Sequence, residues 1–372
     1  MSNAALLYDR LTIDEAELLV TASRRRLEFK RIFTKNPSSL TAEDVEDIKV
    51  VVNRCESKHR ALEAARRVEE LGRVVVNSYR VESLCSDKIK TIRVLEEKGV
   101  KVPRTLFISF PRDGTSLEDW IMEVVEDAES ELGYPLVFKP THGSWGRGVL
   151  KVDDRENLIE VLSRNSKPTQ INPEGIFLQE YIEKPGFDLR VLVYKEGPSS
   201  GLLCCIARVS RSPEEFRTNT HLGGLPVGVD LNAYPRHRME VMRALDAIMG
   251  YEDYGIVALD AMPSIEGRDW SSIYRLVAGC ISAYDGIRRF VRENRFRRYV
   301  NWKNEMEEMF QRLKNLDAYR RLSRFIDELL GSCDLKIHEA NSRFDYALNT
   351  RNATGINPAD KYVDICFRIL AQ

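Results

Sequence analysis

Apolar and polar positions divide the chain into stretches of different texture. Ala4–Tyr8 is an apolar run of strand length, and residues 11–29 carry apolar positions at helical spacing among many Glu and Arg, ending in a basic turn. The β-branched run 48–53 predicts a buried parallel strand, 57–71 a helix stopped by Gly72, and 74–77 a further strand. Strand, helix, strand, helix, strand predicts a small α/β domain over residues 1–82. Its strand ends carry Asp9, Asn53 and Asn77. These positions suit either the ligand crevice of an open parallel sheet or simple turn formation.

The pattern changes beyond residue 82. A helix over 86–98, with Ser86 or Asp87 as N-cap, leads to a strand at Thr105–Ser109 and a helix over 116–132 that ends on Gly133. An apolar strand from Leu136, a glycine-rich loop, a strand over 149–152, a helix over 154–165 and a strand over 175–179 complete a region spanning 83–178. A turn-rich connector, 180–186, opens the last region, 179–372. There 188–194 and 202–210 alternate as antiparallel strands around a Gly/Pro/Ser turn. A helix at Pro235–Met249, strands over 255–260 and 335–341, and a closing helix at Pro358–Leu370 give an α+β texture. Between the last two strands, about 267–331 lacks strand patterning and repeats apolar residues at helical spacing. It reads as an inserted helical subdomain.

The stretch with the most chemistry is Leu136-Val-Phe-Lys-Pro-Thr-His-Gly-Ser-Trp-Gly-Arg-Gly-Val-Leu150. Glycines at 143, 146 and 148 allow backbone conformations and close approaches that a Cβ would block. Such a loop can turn its N–H groups toward phosphate oxygens while Lys139, on the adjoining strand, supplies charge. It is no Walker loop, since no Gly-Lys-Ser/Thr follows, and no dinucleotide fingerprint, since a strand comes next.

Composition narrows the alternatives. The 372 residues exceed one ordinary core, and 56 basic against 57 acidic side chains give no global field toward nucleic acid or membrane. No apolar run approaches the roughly 20 residues of a membrane helix, and no secretory signal opens the chain. Seven scattered cysteines without a Cys-x-x-Cys argue for reduced thiols in a cytoplasmic protein, and five dispersed histidines argue against a His-based metal site.

Phosphoryl chemistry needs positive charge along a triphosphate and oxygen ligands for magnesium. Lys88, at a helix start, and Lys139 suit the first need. Asp260, Glu339 and Asn341 suit the second, and Glu339 and Asn341, two apart on a strand, project from one face. Backbone groups of Glu180 to Ile182 could pair with a purine. No Ser-His or Cys-His pattern for a protein nucleophile is present.

These stretches resemble the ATP-grasp superfamily, within it the carboxylate–amine ligases that include ribosomal-protein glutamate ligases and lysine-biosynthesis ligases. The likeness is nearest to the ligases that join α-aminoadipate to an amino-group carrier protein. It is carried by Val50-Val-Val-Asn-Arg-Cys55, Val76-Asn-Ser-Tyr79, Ser86-Asp-Lys88, Phe138-Lys-Pro140, Gly143-Ser-Trp-Gly-Arg147 and Gln179-Glu-Tyr-Ile-Glu-Lys-Pro-Gly186. Asp188-Leu-Arg190, Ala207-Arg-Val-Ser210, Arg217-Thr-Asn219, Gly223-Gly224 and His338-Glu-Ala-Asn341 continue it in the family's order. The resemblance implies an ATP-grasp fold behind a parallel-sheet pre-ATP-grasp domain. It also implies ATP with two magnesium ions as cofactors, and amide-bond formation through an acyl-phosphate. The implied partners are an amino acid such as aminoadipate or glutamate and a small acidic carrier protein or peptide C-terminus, with the enzyme a homo-oligomer.

Residue by residue, the resemblance implies that Lys88 and Lys139 contact the ATP phosphates and that the loop with Gly143, Ser144, Trp145, Gly146 and Gly148 closes over them. Glu180, Tyr181 and Ile182 would flank the adenine and Asp188 the ribose. Arg190 and Arg208 would neutralise the phosphoryl group and the acyl-phosphate. Asn219, Thr220, Gly223 and Gly224 would meet the amino-acid substrate, and Asp260, Glu339 and Asn341 the metal.

Three features depart from the family. Leu222 stands where the aminoadipate ligases tend to carry an arginine, which leaves the ligated amino acid open; Ala340, for the usual valine, changes only packing. The insertion carries Arg288, Arg289, Arg292, Arg295, Arg297 and Arg298 with Glu293 the only acid among them. Three readings stand: a solvated face pairing with the acidic run 305–308, a docking surface for an acidic protein, or a nucleic-acid contact. A glutamate ligase acting on another protein or small-molecule carboxylate, or a non-catalytic ATP-binding scaffold whose insertion binds a partner, are the competing functions.

Overall fold

A computed structural model describes residues 3–143, 146–213, 215–218, 220, 223–265 and 270–372. Ser144, Trp145, Asn219 and Leu222, singled out above, and the expected start of the insertion at Gly267 lie outside the described residues.

The first region contains β1 (Ala4–Tyr8), α1 (Ile13–Arg24), β2 (Phe29–Phe33), β3 (Val50–Asn53), α2 (Lys58–Glu70) and β4 (Val74–Val76). Its sheet is wholly parallel in the order β2-β1-β3-β4. The sequence pattern gave 29 as a helix end, whereas β2 is an edge strand. Only Phe29 and Ile32 of Phe-Lys-Arg-Ile-Phe are buried, so the polar edge masks its alternation.

Two short helices follow, α3 (Tyr79–Ser86) and α4 (Lys88–Glu97). Asp87, not Ser86, caps α4, its carboxylate accepting from the Ile89 and Lys90 N–H groups; α3 went unseen in the sequence. The central region holds β5 (Thr105–Ser109), α5 (Leu117–Glu131), β6 (Leu136–Lys139), β7 (Leu150–Val152), α6 (Arg155–Arg164) and β8 (Gly175–Glu180). These strands form an antiparallel sheet ordered β5-β8-β6-β7, with α5 and α6 sealing one face through Trp120, Val125, Leu158 and Leu162.

The last region runs β9 (Phe187–Glu196), β10 (Ser199–Val209), β11 (Leu225–Val229), α7 (Pro235–Met249), β12 (Tyr254–Ser264), α8 (Ser271–Asn294), α9 (Lys303–Lys314), α10 (Asp317–Leu330), β13 (Asp334–Asn341), α11 (Thr350–Thr354) and α12 (Pro358–Leu370). Its antiparallel sheet is ordered β11-β10-β9-β12-β13. Strand β11 was not expected, because Pro226 and Gly228 break its β signal.

The regions share cores. Tyr346, Tyr362 and Val363 pack with Leu6, Leu18 and Val52 of the first region and with Leu192 and Ile256 of the last sheet. The insertion is helical as expected, and Ile273, Tyr284, Met306, Phe310 and Leu322 join Leu225 and Val227 in the main core. Among the described residues no helix is long and apolar enough to cross a membrane.

Candidate active site

One cavity of about 650 Å³ opens where all three regions meet. The strand registers place its chemistry. Arg208 of β10 stands opposite Asp188 of β9, Arg190 of β9 opposite Asp260 of β12, and Asp260 opposite Glu339 of β13. Side chains of one alternation therefore lay a charged band across one sheet face.

Within the band, Asp260 accepts from Arg190 Nε and Nη2 at 2.9 Å each and lies 3.1 Å from Arg208 Nη2. Arg208 holds Asp188 through Nε and Nη2, both at 2.7 Å, and is 2% exposed. Arg190 also reaches Asp345 at 3.1 Å. Burial would raise the Asp188 carboxyl, but Arg208 and Lys184 outweigh it and hold Asp188 far below the usual carboxylate range. Asp188, expected near a ribose, lines the cavity with its carboxylate engaged in this buried ion pair.

The central region supplies the opposite wall. Lys139 projects from β6 and donates to Gln179 Oε1 at 2.6 Å. Desolvation pulls its ammonium down to about 7, with Lys88 and Lys184 adding to that fall and Glu339 opposing it. Lys88, the first residue of α4, lies 3.8 Å from Glu339 Oε1 and donates to the Gly143 carbonyl at 3.1 Å. Burial works against the Glu339 carboxylate, yet Lys88, Lys58, His338 and Lys139 around it bring it down to about 2.

In the glycine loop, Gly148 has φ +70°, and a Cβ there would meet Pro140 Cγ at 2.9 Å. Arg217 Nη1 donates to the Gly146 carbonyl at 3.3 Å, tying the loop to the segment around Thr220. Gly143, Gly146 and Thr220 line the cavity. Gly223 and Gly224 are absent from its described lining; the Gly223 carbonyl accepts from Arg211 Nε at 2.6 Å. At the other end, Glu180, Tyr181 and Ile182 line the cavity, although the Glu180 carboxylate is taken by Arg104 and Lys336.

The two open readings at the first sheet resolve to structure. Asp9 accepts from the Glu56 N–H at 2.6 Å and from Arg60 Nε at 2.5 Å, closing the turn into α2. Asn53 Nδ2 donates to the Ala61 carbonyl at 2.7 Å. Asn77 exchanges hydrogen bonds with Ile256 and Ser342, stitching β4 to the last sheet.

Sequence reasoning missed several wall residues. Lys58, at the start of α2, donates to the Gly143 carbonyl at 3.0 Å; desolvation and nearby Lys88 lower its ammonium to about 8. Its position at a strand-to-helix junction of the first sheet was a usable signal. Lys184 reaches Thr218 Oγ1 at 3.4 Å, and burial lowers its ammonium. Arg54, Arg10 and Arg343 come from segments distant in sequence. Tyr284, Arg288 and Val291 of α8 also line the cavity, so the insertion forms part of its wall.

A parallel-sheet domain ahead of two antiparallel lobes, with lysines facing an acidic strand pair across a cleft, defines an ATP-grasp architecture. Residues 85–239 match the RimK-like ATP-grasp domain and residues 4–84 the LysX preATP-grasp domain. The chain is 33% identical over 199 residues to the alpha-aminoadipate–LysW ligase LysX of Saccharolobus solfataricus, covering 54% of this chain and 64% of that protein. It is 30% identical over 214 residues to the glutamate–LysW ligase ArgX of Sulfolobus acidocaldarius, covering 57% and 68%. The solved ATP-grasp ligase PsnB, complexed with its minimal precursor, Mg and ADP, superposes with a TM-score of 0.58 at 12% identity, covering 100% of this chain and 99% of that one. The chain belongs to the RimK-like ATP-grasp family and carries its LysX-type preATP-grasp domain.

Proposed function

We propose that the protein is an ATP-dependent carboxylate–amine ligase. A carboxylate oxygen of one substrate attacks the γ-phosphorus of ATP and ADP leaves. The amine of the second substrate then attacks the acyl-phosphate carbonyl, inorganic phosphate leaves, and the amine loses a proton. The observation that carries this reading is the convergence of Lys88, Lys139, Asp260, Glu339 and Asn341 on one cavity.

Lys88 and Lys139 would hold the phosphates beneath the loop, and backbone groups of Glu180 to Ile182 the adenine. The donor set suits magnesium: two carboxylates on neighbouring strands and an amide oxygen, all hard ligands that leave room for phosphate oxygens. Two ions bound there would neutralise charge on the transferring phosphoryl group. Arg190, held by Asp260 through Nε and Nη2, would offer an anion its Nη1, which here meets the exposed carboxylate of Asp345. Arg208, with Nε and Nη2 engaged by carboxylates, is a positioning residue that fixes Asp188 and Asp260. Catalysis rests on placement and charge, with the loop excluding water from the intermediate.

The named relatives join aminoadipate or glutamate to LysW. That supports, for this chain, ligation of an amino acid to the C-terminal carboxylate of a small carrier protein in lysine- or arginine-type biosynthesis. Intact-mass spectrometry of an acidic carrier ending in glutamate, incubated with this protein, magnesium, ATP and a panel of amino acids, tests it. A gain of one amino acid minus water, lost in Lys139→Ala, is expected. Phosphate release without a gain would discard the carrier, and neither would overturn the ligase.

A further inference from the structure

The cavity wall continues outward along α8. Tyr284, Arg288 and Val291 recur at intervals of four and three, so they share one helix face, and all three line the cavity. Arg295 is the next position on that face, at the end of the helix, and Arg292 flanks it. The face thus runs from a mixed aromatic and apolar lining inside to an arginine-rich end outside.

Those arginines do not find the partners that a solvated-face reading requires. In the acidic run 305–308, Glu307 pairs with Arg351 and Lys303, and Glu308 with Arg312. Asp285 is held by Arg211 and lies 3.8 Å from Arg288. Among the described residues, Arg289, Arg292, Arg295 and Arg298 form no salt bridge. Arg295 instead lies 4.6 Å from the centroid of the Phe296 ring, and Phe296 is 87% exposed and Val300 53% exposed. An exposed aromatic and an aliphatic side chain among arginines, of which Arg288 and Arg289 share the one carboxylate of Asp285 with Arg211, form a net-positive surface whose charge is complementary to a carboxylate-rich chain.

We infer that the C-terminal end of α8, from Arg288 to Val300, is a docking surface for an acidic polypeptide segment whose terminus is led into the cavity along the Val291–Arg288–Tyr284 face. The leading of the terminus rests on the ligase reading; the docking itself does not. Acidic side chains would pair with Arg289, Arg292 and Arg298 at the rim, and an apolar side chain would cover Phe296. An extended chain spans about 3.3 Å per residue, so a few residues bridge the rim and the cavity. The isolated aromatic beside aliphatic Val300 favours a polypeptide over a nucleic acid strand, whose binding uses successive stacking rings along a phosphate track.

The test is fluorescence anisotropy of a labelled hexaglutamate with a free C-terminal carboxylate, titrated with the full-length protein in the absence of nucleotide. Failure of the ligase reading would leave this measurement untouched, and an active ligase could still fail it. The expected result is salt-sensitive binding that weakens by about tenfold or more in the combined Arg289→Glu, Arg292→Glu, Arg298→Glu variant and persists with lysine at the same positions. If reversal unfolds the helices by circular dichroism, glutamine at those positions carries the comparison. Equal binding by the altered protein would overturn the inference. So would tighter binding of a six-phosphate oligothymidine than of the peptide, which would make the surface a nucleic-acid site.

Discussion

Lys58 and Lys88, brought from the first region and from α4, donate to the same oxygen, the Gly143 carbonyl, at 3.0 and 3.1 Å. Two ammonium groups on one neutral acceptor repel each other, and Glu339 is the carboxylate that offsets them. A triphosphate would give each lysine a charged acceptor in place of a shared neutral one.

Lys58 is therefore expected to take part in nucleotide binding although it sits outside the ATP-grasp lobes. Lys58→Ala should weaken ATP by about tenfold, the order of a lost charge-assisted hydrogen bond. Calorimetric titration checks this beside a thermal melt, in which the variant should match the parent. Unchanged affinity would reduce Lys58 to a prop for the loop.

Lys139 gives a pH dependence of defined sign. Desolvation places its ammonium near 7 in the free protein, and bound phosphates would raise it. Nucleotide binding then takes up a proton above that value. Affinity should be full below about pH 7 and fall by up to tenfold per pH unit above it, until the bound-state value is reached. Calorimetry in buffers of different ionisation enthalpy would detect the uptake, and Lys139→Met should remove the part of the uptake and slope that begins near pH 7, leaving the part that Lys58 adds from about pH 8.

Asn77 separates a structural residue from a catalytic one. Its amide makes buried bonds to Ile256 N–H, the Ile256 carbonyl and the Ser342 carbonyl, at 2.8, 2.9 and 2.7 Å. Asn77→Ala strands those groups and should cost about 3 kcal/mol, read by urea denaturation. At low temperature, well inside the folded baseline, the KM for ATP should stay unchanged.

The contrast between these residues marks what the sequence could carry. Lys88, Lys139, Asp260, Glu339 and Asn341 were legible because each sits in a short motif whose residue types match phosphate and magnesium chemistry, and the fold brings them to one cavity. Asp9, Asn53 and Asn77 have equally suggestive strand-end positions; Asn53 bonds locally, to the Ala61 carbonyl and the Cys55 N–H, while partners distant in sequence reveal Asp9 and Asn77 as stitches. Arg54 and Arg343 were invisible because their roles arise where β3, α2 and the residues after β13 meet, and Lys58 offered only its place at a strand-to-helix junction. Strands β2 and β11 escaped notice because charged edge positions in one, and Pro226 and Gly228 in the other, blur the alternation. The integration of the insertion into the cavity wall depends on the face that α8 presents, which its helical period alone does not orient.

Glu339 couples the carboxylates of the cavity to its lysines. It raises the Lys139 ammonium, and the surrounding lysines in turn lower its own carboxyl. Replacing it with glutamine removes one opposite charge and leaves Lys58, Lys88 and Lys139 facing one another. The Lys139 ammonium should then fall below about 7, since the desolvation and like-charge repulsion already acting on it lose their counterweight. Measured without magnesium, so that loss of a ligand does not enter, the pH at which ATP affinity begins to fall should move down in Glu339→Gln. With magnesium present, ligase turnover should be lost as well. A pH midpoint that stays in place would mean that Glu339 and Lys139 are not electrostatically linked, and it would leave Glu339 only its proposed role toward magnesium.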